Sequence, residues 1–520
     1  MRNANRTSAK SPKVRFFYLQ NMSEKKLKLK PSLDEFKKLC QEGDIIPVYA
    51  ERLADIETPV SVLGRFAEEE NVFLLESVEK GERFGRYSFL GIHPRGVFTV
   101  EGSRAFYNEK GERRELEVQG CPLNALREII QNKRVLTHGD LPPLLGGAIG
   151  FIGYECVNQF EELPEPKAKV ETPEAAFLVT DEMLIFDNQR HTVKAVVCVR
   201  PAEFEDPQAA YEYARERISR IAVKLDTPFL STEKNSNKAV PLLVSNLSRQ
   251  EFCTMVEKAK EYIRQGEVIQ LVLSQRFSAP MPFSALCAYR ALRYVNPSPY
   301  TFFLKIGDLT LAGSSPETMV KLENGHSSLR PIAGTRKRGS TPAEDMKFSD
   351  ELLRDEKERA EHLMLVDLGR NDLGRTAVPG SVQVKSFMNV ERYSHVMHIV
   401  SEVDAMLAEE YDAFDLVRTT FPAGTLTGAP KIRAMELIHE LEPTPRGIYG
   451  GAVGYFSYTG NMDLAITIRT VEIRDRRMYV QAGAGIVYDS VSENEYEETL
   501  NKAKALFNAV NLAANDFQLD

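Results

Sequence analysis

Two nine-residue stretches, far apart in the chain, repeat one another. Gly146-Gly147-Ala148-Ile149-Gly150-Phe151-Ile152-Gly153-Tyr154 returns as Gly450-Gly451-Ala452-Val453-Gly454-Tyr455-Phe456-Ser457-Tyr458. Each is too rich in glycine for a helix interior and apolar enough for a buried strand. A hairpin pattern follows each copy. The first spans 177–186 and 193–199 and turns through Asp187-Asn188. The second spans 464–473 and 478–481 and turns through Arg474-Asp475-Arg476. Alternating β-branched and polar residues mark these segments as strands. Two related hairpins predict two facing, mostly antiparallel sheets with pseudo-symmetry, the trace of an old duplication. Chance recurrence of glycine-rich strands is the alternative.

Helices interrupt the strands without a regular βαβ alternation, so the fold class is α+β. Ser248 with Glu251 has capping-box spacing, and Phe252, Val256, Ala259 and Ile263 form the apolar stripe of the helix it opens. A second helix is expected over 342–366 and a third from Ser492 to about Leu512. The stretch 226–238, with Pro228, Ser231, Thr232, Asn235, Ser236 and Asn237, reads as a linker. It separates an N-terminal half, 22–225, from a C-terminal half, 240–515, which holds nearly all the chemical motifs. The halves are expected to pack as one globule. Residues 1–21 are basic and polar around a short apolar run and lack the apolar centre of a secretory signal. They read as a disordered extension; a transit peptide, or a true start at Met22, are the other readings.

A chain of 520 residues, 43% hydrophobic, can bury a large core. A net charge of −8 argues against general nucleic-acid binding. No apolar run approaches the roughly 20 residues that span a bilayer. The six cysteines form no CxxC pair, which fits a reducing cytoplasm.

Two acidic pairs carry the first chemical signal. Glu358 and Glu361 are three apart on one expected helix, Glu495 and Glu498 on another, and residues at i and i+3 share a face. Four converging carboxylates would repel unless a hard cation sat among them, and an all-oxygen set suits Mg²⁺. The plainer readings are a solvated acidic face, and for Glu495 a capping box with Ser492. Arg469 lies in the otherwise apolar Ala465-Ile466-Thr467-Ile468-Arg469-Thr470-Val471. Such a guanidinium needs a carboxylate, supplied either by an internal salt bridge or by a substrate. Gly483-Ala484-Gly485 suggests a backbone donor nest for a carboxylate. It is no dinucleotide fingerprint, because the third glycine position is Tyr488. Gly424 to Lys431 has the wrong spacing for a phosphate loop, and Pro430 interrupts it. His398, among strand-like neighbours, reads by default as a core histidine.

Pro331-Ile332-Ala333-Gly334-Thr335, Gly424-Thr425-Leu426-Thr427-Gly428-Ala429-Pro430-Lys431 and Gly483-Ala484-Gly485 together resemble the chorismate-utilising enzymes. The resemblance covers nearly all of 25–512. Within that family, aminodeoxychorismate synthases carry a nucleophilic lysine where this chain has Ala333, and anthranilate synthase large subunits carry alanine. Alanine has no amine to attack a ring carbon, so an external nucleophile is implied. Isochorismate and salicylate synthases have a lysine at the position of Gln270, so water addition is disfavoured. The nearest rival is aminodeoxychorismate synthase component I. A rival of another kind is a non-catalytic tryptophan sensor.

The resemblance implies a two-lobed sandwich of two sheets with helices outside, and a conversion of chorismate and ammonia to anthranilate and pyruvate. The family's magnesium glutamates match Glu361 and Glu498 best, which leaves Glu358 and Glu495 to act through water. Glu317 matches the acid that protonates the departing C4 hydroxyl. His398 matches a histidine associated with pyruvate loss, and Thr425 a substrate-site threonine. Gly334 and Thr335 match the ring-carboxylate contact. Tyr449 and Arg469 match the residues that hold the enolpyruvyl group. Leu74-Leu75-Glu76-Ser77 resembles the tryptophan-feedback motif, which in the family faces Asn296-Pro297-Ser298-Pro299-Tyr300; Thr301 stands where methionine is common. No cysteine lies in a glutaminase motif, so a separate glutamine amidotransferase subunit is implied, in a heterotetramer of two large and two small subunits in the cytoplasm.

Overall fold

The computed structural model describes residues 27–77, 85–131, 133–164, 167–227, 241–393 and 396–518. The expected N-terminal extension and most of the expected linker lie outside them. Among the described residues, two sheets of thirteen and twelve strands, paired antiparallel throughout, face one another, and both run through the two halves of the chain. In the larger sheet the halves join where Asn71–Glu76 pairs with Tyr300–Ile306, placing Glu76 opposite Thr301. In the smaller sheet they join where Gly147–Ile152 pairs with Ala452–Ser457. The repeated segments are therefore direct partners. Gly150 lies opposite Gly454, and Ile152 opposite Ala452, as a pseudo-two-fold through the glycine pair requires. A Cβ on Gly150 would lie 1.9 Å from the Ala176 carbonyl oxygen, so close approach to the next strand explains that glycine.

The hairpins differ from the expected pattern in one instructive way. The first long strand divides at Asp181. Ala175–Thr180 belongs to the smaller sheet and Glu182–Asp187 to the larger. The second divides in the same manner. Met462–Ile466 lies in the smaller sheet, Thr470–Arg474 in the larger, and the chain crosses between them through Arg469 at φ 51°. Alternation cannot reveal such a crossing, because both halves of the strand keep one face toward the shared core. That core joins residues of both sheets, including Tyr49 and Phe73 of one with Phe98 and Phe177 of the other.

Helices cover the outer faces. Ser492–Ala514 packs Ala503, Leu506 and Val510 on Val471, Val480 and Ala482 of the larger sheet. Arg249–Arg264 forms with the expected Ser248–Glu251 capping box and buries Phe252, Val256 and Ala259. The helix expected over 342–366 is two helices, Pro342–Arg354 and Glu356–Gly374. Asp355 is extended between them, and its carboxylate accepts from the amides of Lys357 and Glu358, capping the second helix.

Candidate active site

The site lies where the chain crosses between the sheets, and the segments marked in the sequence converge there. Gly424–Leu426 is a short 3-10 turn that brings Thr425 to Glu317; the threonine hydroxyl donates to Glu317 Oε1 over 2.8 Å. Burial pushes the Glu317 carboxyl up to about 7, against the Thr425 hydrogen bond, which favours the charged form. A carboxyl so placed is substantially protonated at neutral pH and able to donate.

Strand Ile332–Lys337 pairs with Val396–Met406 through a bulge at Gly334, which sits at φ 62°. The bulge turns the Gly334 carbonyl toward His398, whose Nδ1 donates to it over 3.0 Å and lies 3.1 Å from Thr335 Oγ1. With the proton on Nδ1, Nε2 keeps its lone pair. Burial, with Arg469 adding, lowers the His398 pKa and holds the ring neutral.

Arg469 has no carboxylate within ion-pair distance among the described residues, although its neighbours Arg474 and Arg446 each have one. Burial lowers its pKa, with Tyr449 opposing. The internal salt bridge that would have made Arg469 purely structural is not formed. Tyr449 is buried, and its hydroxyl is hydrogen-bonded to the Gly483 backbone.

Gly483-Ala484-Gly485 is not a nest. These residues are extended within Arg477–Ile486 and pair with Ser274, Leu273 and Val272. On the other side, pairing with the strand Thr470–Arg474 ends at Val480, and beyond it the Gly483 backbone meets the Tyr449 hydroxyl and the Lys502 ammonium instead of a strand. Crowding explains Gly483, where a Cβ would lie 2.8 Å from both the Leu273 carbonyl oxygen and Tyr449 Oη; at Gly485 it would meet only the movable end of Gln270, at 2.7 Å.

The two acidic pairs face one another. Gln270 donates to Glu361 over 3.1 Å, and burial raises the Glu361 pKa, with Glu358 and Glu498 adding. The Glu495 pKa is also raised, by burial first and by Glu498. Arg336 holds Glu358 at 2.9 Å, and Lys502 holds Glu498 at 2.8 Å. The box between Ser492 and Glu495 is not made; Val491 is the cap, and Ser492 bonds Glu257 instead. Among the described residues no three His, Cys, Asp or Glu side chains stand close enough together to hold a metal ion. All four side chains are carboxylates, the donor type a hard cation takes, but as they stand Arg336 occupies Glu358, Lys502 occupies Glu498 and Gln270 bonds Glu361.

Lys502 was missed in the sequence, although its i+4 spacing from Glu498 was legible; it also donates to the Gly483 carbonyl over 2.9 Å. Arg336 was missed as well. The lysine of the phosphate-loop-like segment is spent on Asp372 at 2.7 Å.

The second group of residues centres on the pairing of Asn71–Glu76 with Tyr300–Ile306. Glu76 is buried and accepts from Tyr289 over 2.5 Å and from Arg293 over 3.0 Å. Ser77 Oγ is buried with no hydrogen-bond partner among the described residues. Pro299 is buried, and Tyr300 donates to Asp463 and meets Thr318, both at 2.9 Å. Thr301 Oγ1 lies 3.2 Å from Ser314 Oγ.

Residues 70–508 match the family described as chorismate binding enzyme. The chain belongs to that family. It is 46% identical over 490 residues to anthranilate synthase component 1 of Acetivibrio thermocellus, covering 92% of this chain and 98% of that protein. Its identity to the Aquifex aeolicus protein of the same name is also 46%, over 498 residues, with 94% and 99% covered. The crystal structure of anthranilate synthase component I from Streptococcus pneumoniae superposes with a TM-score of 0.75 at 37% identity, covering 88% of this chain and 99% of that one. Within the family, the chain therefore stands in the anthranilate synthase component 1 branch. The menaquinone-specific isochorismate synthase of Escherichia coli, at 17% identity and a TM-score of 0.66, shares the fold.

Proposed function

We propose that this chain converts chorismate and ammonia to anthranilate and pyruvate as the large subunit of an anthranilate synthase. The observation that carries the reading is Arg469, a buried guanidinium with no carboxylate partner among the described residues, which suits it to a substrate anion. Chorismate is a dianion with two carboxylates to offer. Arg469 with Tyr449 takes the enolpyruvyl carboxylate, while Gly334, Thr335 and the backbone at Gly483–Gly485 receive the ring end. Ala333 leaves no amine on the protein, so ammonia is the nucleophile.

Ammonia adds at C2 of the ring as the C4 hydroxyl leaves with the proton of Glu317. The aminated intermediate then loses pyruvate: the ring proton at C2 is removed, the C3–O bond breaks, and the ring aromatises. His398 Nε2 is the group that accepts that proton. Glu361 and Glu498, assisted by Glu358 and Glu495, would hold Mg²⁺, which when bound screens the ring carboxylate. Component 1 naming among relatives implies a second component. The absence of a glutaminase motif makes an amidotransferase the fitting partner, in a heterotetramer of two large and two small subunits. Free thiols at all six cysteines, and the lack among described residues of a helix long and apolar enough to cross a membrane, suit the cytoplasm. Tryptophan is the expected feedback inhibitor, bound at Glu76, Ser77, Pro299, Tyr300 and Thr301.

The test is an assay of the purified chain with chorismate, Mg²⁺ and an ammonium salt. Fluorescent anthranilate is expected, and none with glutamine as nitrogen source. A non-aromatic aminated product, or glutamine-dependent turnover by the chain alone, would overturn the reading.

A further inference from the structure

Arg446 is 2% exposed, and every nitrogen of its side chain is engaged. Nε donates to Glu442 over 2.9 Å. One terminal nitrogen donates to the Leu426 carbonyl over 2.6 Å. The other donates to the Val272 carbonyl over 2.8 Å and to Glu442 over 2.7 Å. The guanidinium lies 4.6 Å from the ring centre of Tyr154 and 5.7 Å from that of Tyr449. Its own backbone is clamped from the other half of the chain. Glu155 accepts from the amides of Arg446 and Gly447 over 2.6 and 2.9 Å, and the Tyr154 amide donates to the Gly447 carbonyl over 2.7 Å. Glu442 in turn accepts from the amide and hydroxyl of Ser274, each over 2.8 Å.

These partners are selective. Leu426 follows Thr425, Val272 stands two residues beyond Gln270, and Tyr449 is three residues beyond Arg446 itself. Three separate segments that reach the proposed chorismate site are thus fixed to one planar, five-donor group. We infer that Arg446, held by Glu442 and by Glu155 of the N-terminal half, is a positioning residue that sets the mutual placement of Thr425, Tyr449 and Gln270 around the substrate. The inference rests on the chorismate reading of that site. A lysine keeps the charge but offers one point donor in place of the fork, so it cannot hold both carbonyls and the carboxylate in one plane.

The experiment compares the full chain with Arg446→Lys, Arg446→Met and Glu155→Gln, measuring thermal unfolding, kcat, and the KM for chorismate and for ammonium separately. Loss of charged hydrogen bonds that hold the substrate frame should raise the chorismate KM about ten-fold or more in Arg446→Lys. The ammonium KM should stay unchanged, and Glu155→Gln should move the chorismate KM in the same direction by less. A merely structural arginine would lower kcat in proportion to the folded fraction and leave both KM values as in wild type; that result overturns the inference. If neither Arg446 variant folds, Glu155→Gln decides alone: a wild-type chorismate KM overturns it. If wild type itself makes no anthranilate, it is the functional reading that falls. Calorimetric titration of chorismate then compares wild type with Glu155→Gln, and equal dissociation constants overturn the positioning role.

Discussion

Thr425 and Glu317 come from segments more than a hundred residues apart, and a single 2.8 Å hydrogen bond joins them. The threonine opposes the burial that lifts the carboxyl to about 7, so the pair sets how much acid is available at neutral pH. Apart from Thr425, the charge that bears on Glu317 is Lys502.

Catalysis should therefore fade with rising pH on the Glu317 limb. The folded-state pKa lies above the ordinary carboxyl value, so the protonated, donating form dominates below about 7 and is lost above it. Glu317→Gln cannot donate a proton, and kcat should fall by roughly a hundred- to ten-thousand-fold. Thr425→Val removes the bond that favours the carboxylate, so the alkaline limb of its residual kcat should shift to higher pH. A kcat–pH profile of each variant checks both statements; an unmoved limb in Thr425→Val would assign it to another group.

The acidic pairs should govern metal response. Glu361→Gln and Glu498→Gln each remove one charge with little change of shape, and the Mg²⁺ concentration for half-maximal rate should rise about ten-fold or more. Glu358→Gln should move it less, because that carboxylate is expected to act through water rather than on the ion directly. Titration calorimetry of Mg²⁺ into each protein gives the same ordering without turnover. Full activity of Glu498→Gln at low Mg²⁺ would remove it from the ligand set.

What could be read from the sequence follows the range of the interactions. Glu358 and Glu361 were legible because i,i+3 spacing on a helix is local. The break at Asp355 was not, since an aspartate inside a helical pattern also fits a solvated face. The repeat showed that two sheets exist, yet the crossing at Arg469 was hidden. A backbone at φ 51° leaves no mark on apolar alternation. Arg446 was invisible for a different reason: its partners at 155, 272 and 426 are joined to it only by the fold.

His398 should act late. Its Nδ1 is committed to Gly334, and the lone pair on Nε2 has work only when the ring proton must leave. His398→Met should slow pyruvate loss more than amination, so the aminated intermediate should accumulate. Chromatography of quenched reactions would resolve it from anthranilate. Uniformly slower anthranilate formation, with no intermediate, would place the histidine in an earlier step.

The last expectation concerns tryptophan. Glu76 stands opposite Thr301, so the two segments that resemble a feedback site are neighbours in one sheet. Tyr289 and Arg293 already hold the Glu76 carboxylate. Ser77 Oγ, buried and without a partner among the described residues, is placed to bond an amino acid's polar end. From Thr301 a continuous route leads inward: its hydroxyl meets Ser314, and the Ser314 amide donates to the Arg469 carbonyl over 3.1 Å. A ligand that preferred one arrangement of this route would alter how Arg469 is presented, and a ligand without such a preference would shift nothing. Linkage then requires chorismate to weaken tryptophan binding by the same factor. Ser77→Phe should fill the space and abolish inhibition while basal activity is largely kept, since Ser77 lies outside the proposed chorismate site. Titrating tryptophan into both proteins, with and without chorismate, reads inhibition and reciprocity together. Equal inhibition of the two proteins would move the regulatory site elsewhere, and an uninhibited wild type would identify Thr301 as the mark of a desensitised enzyme.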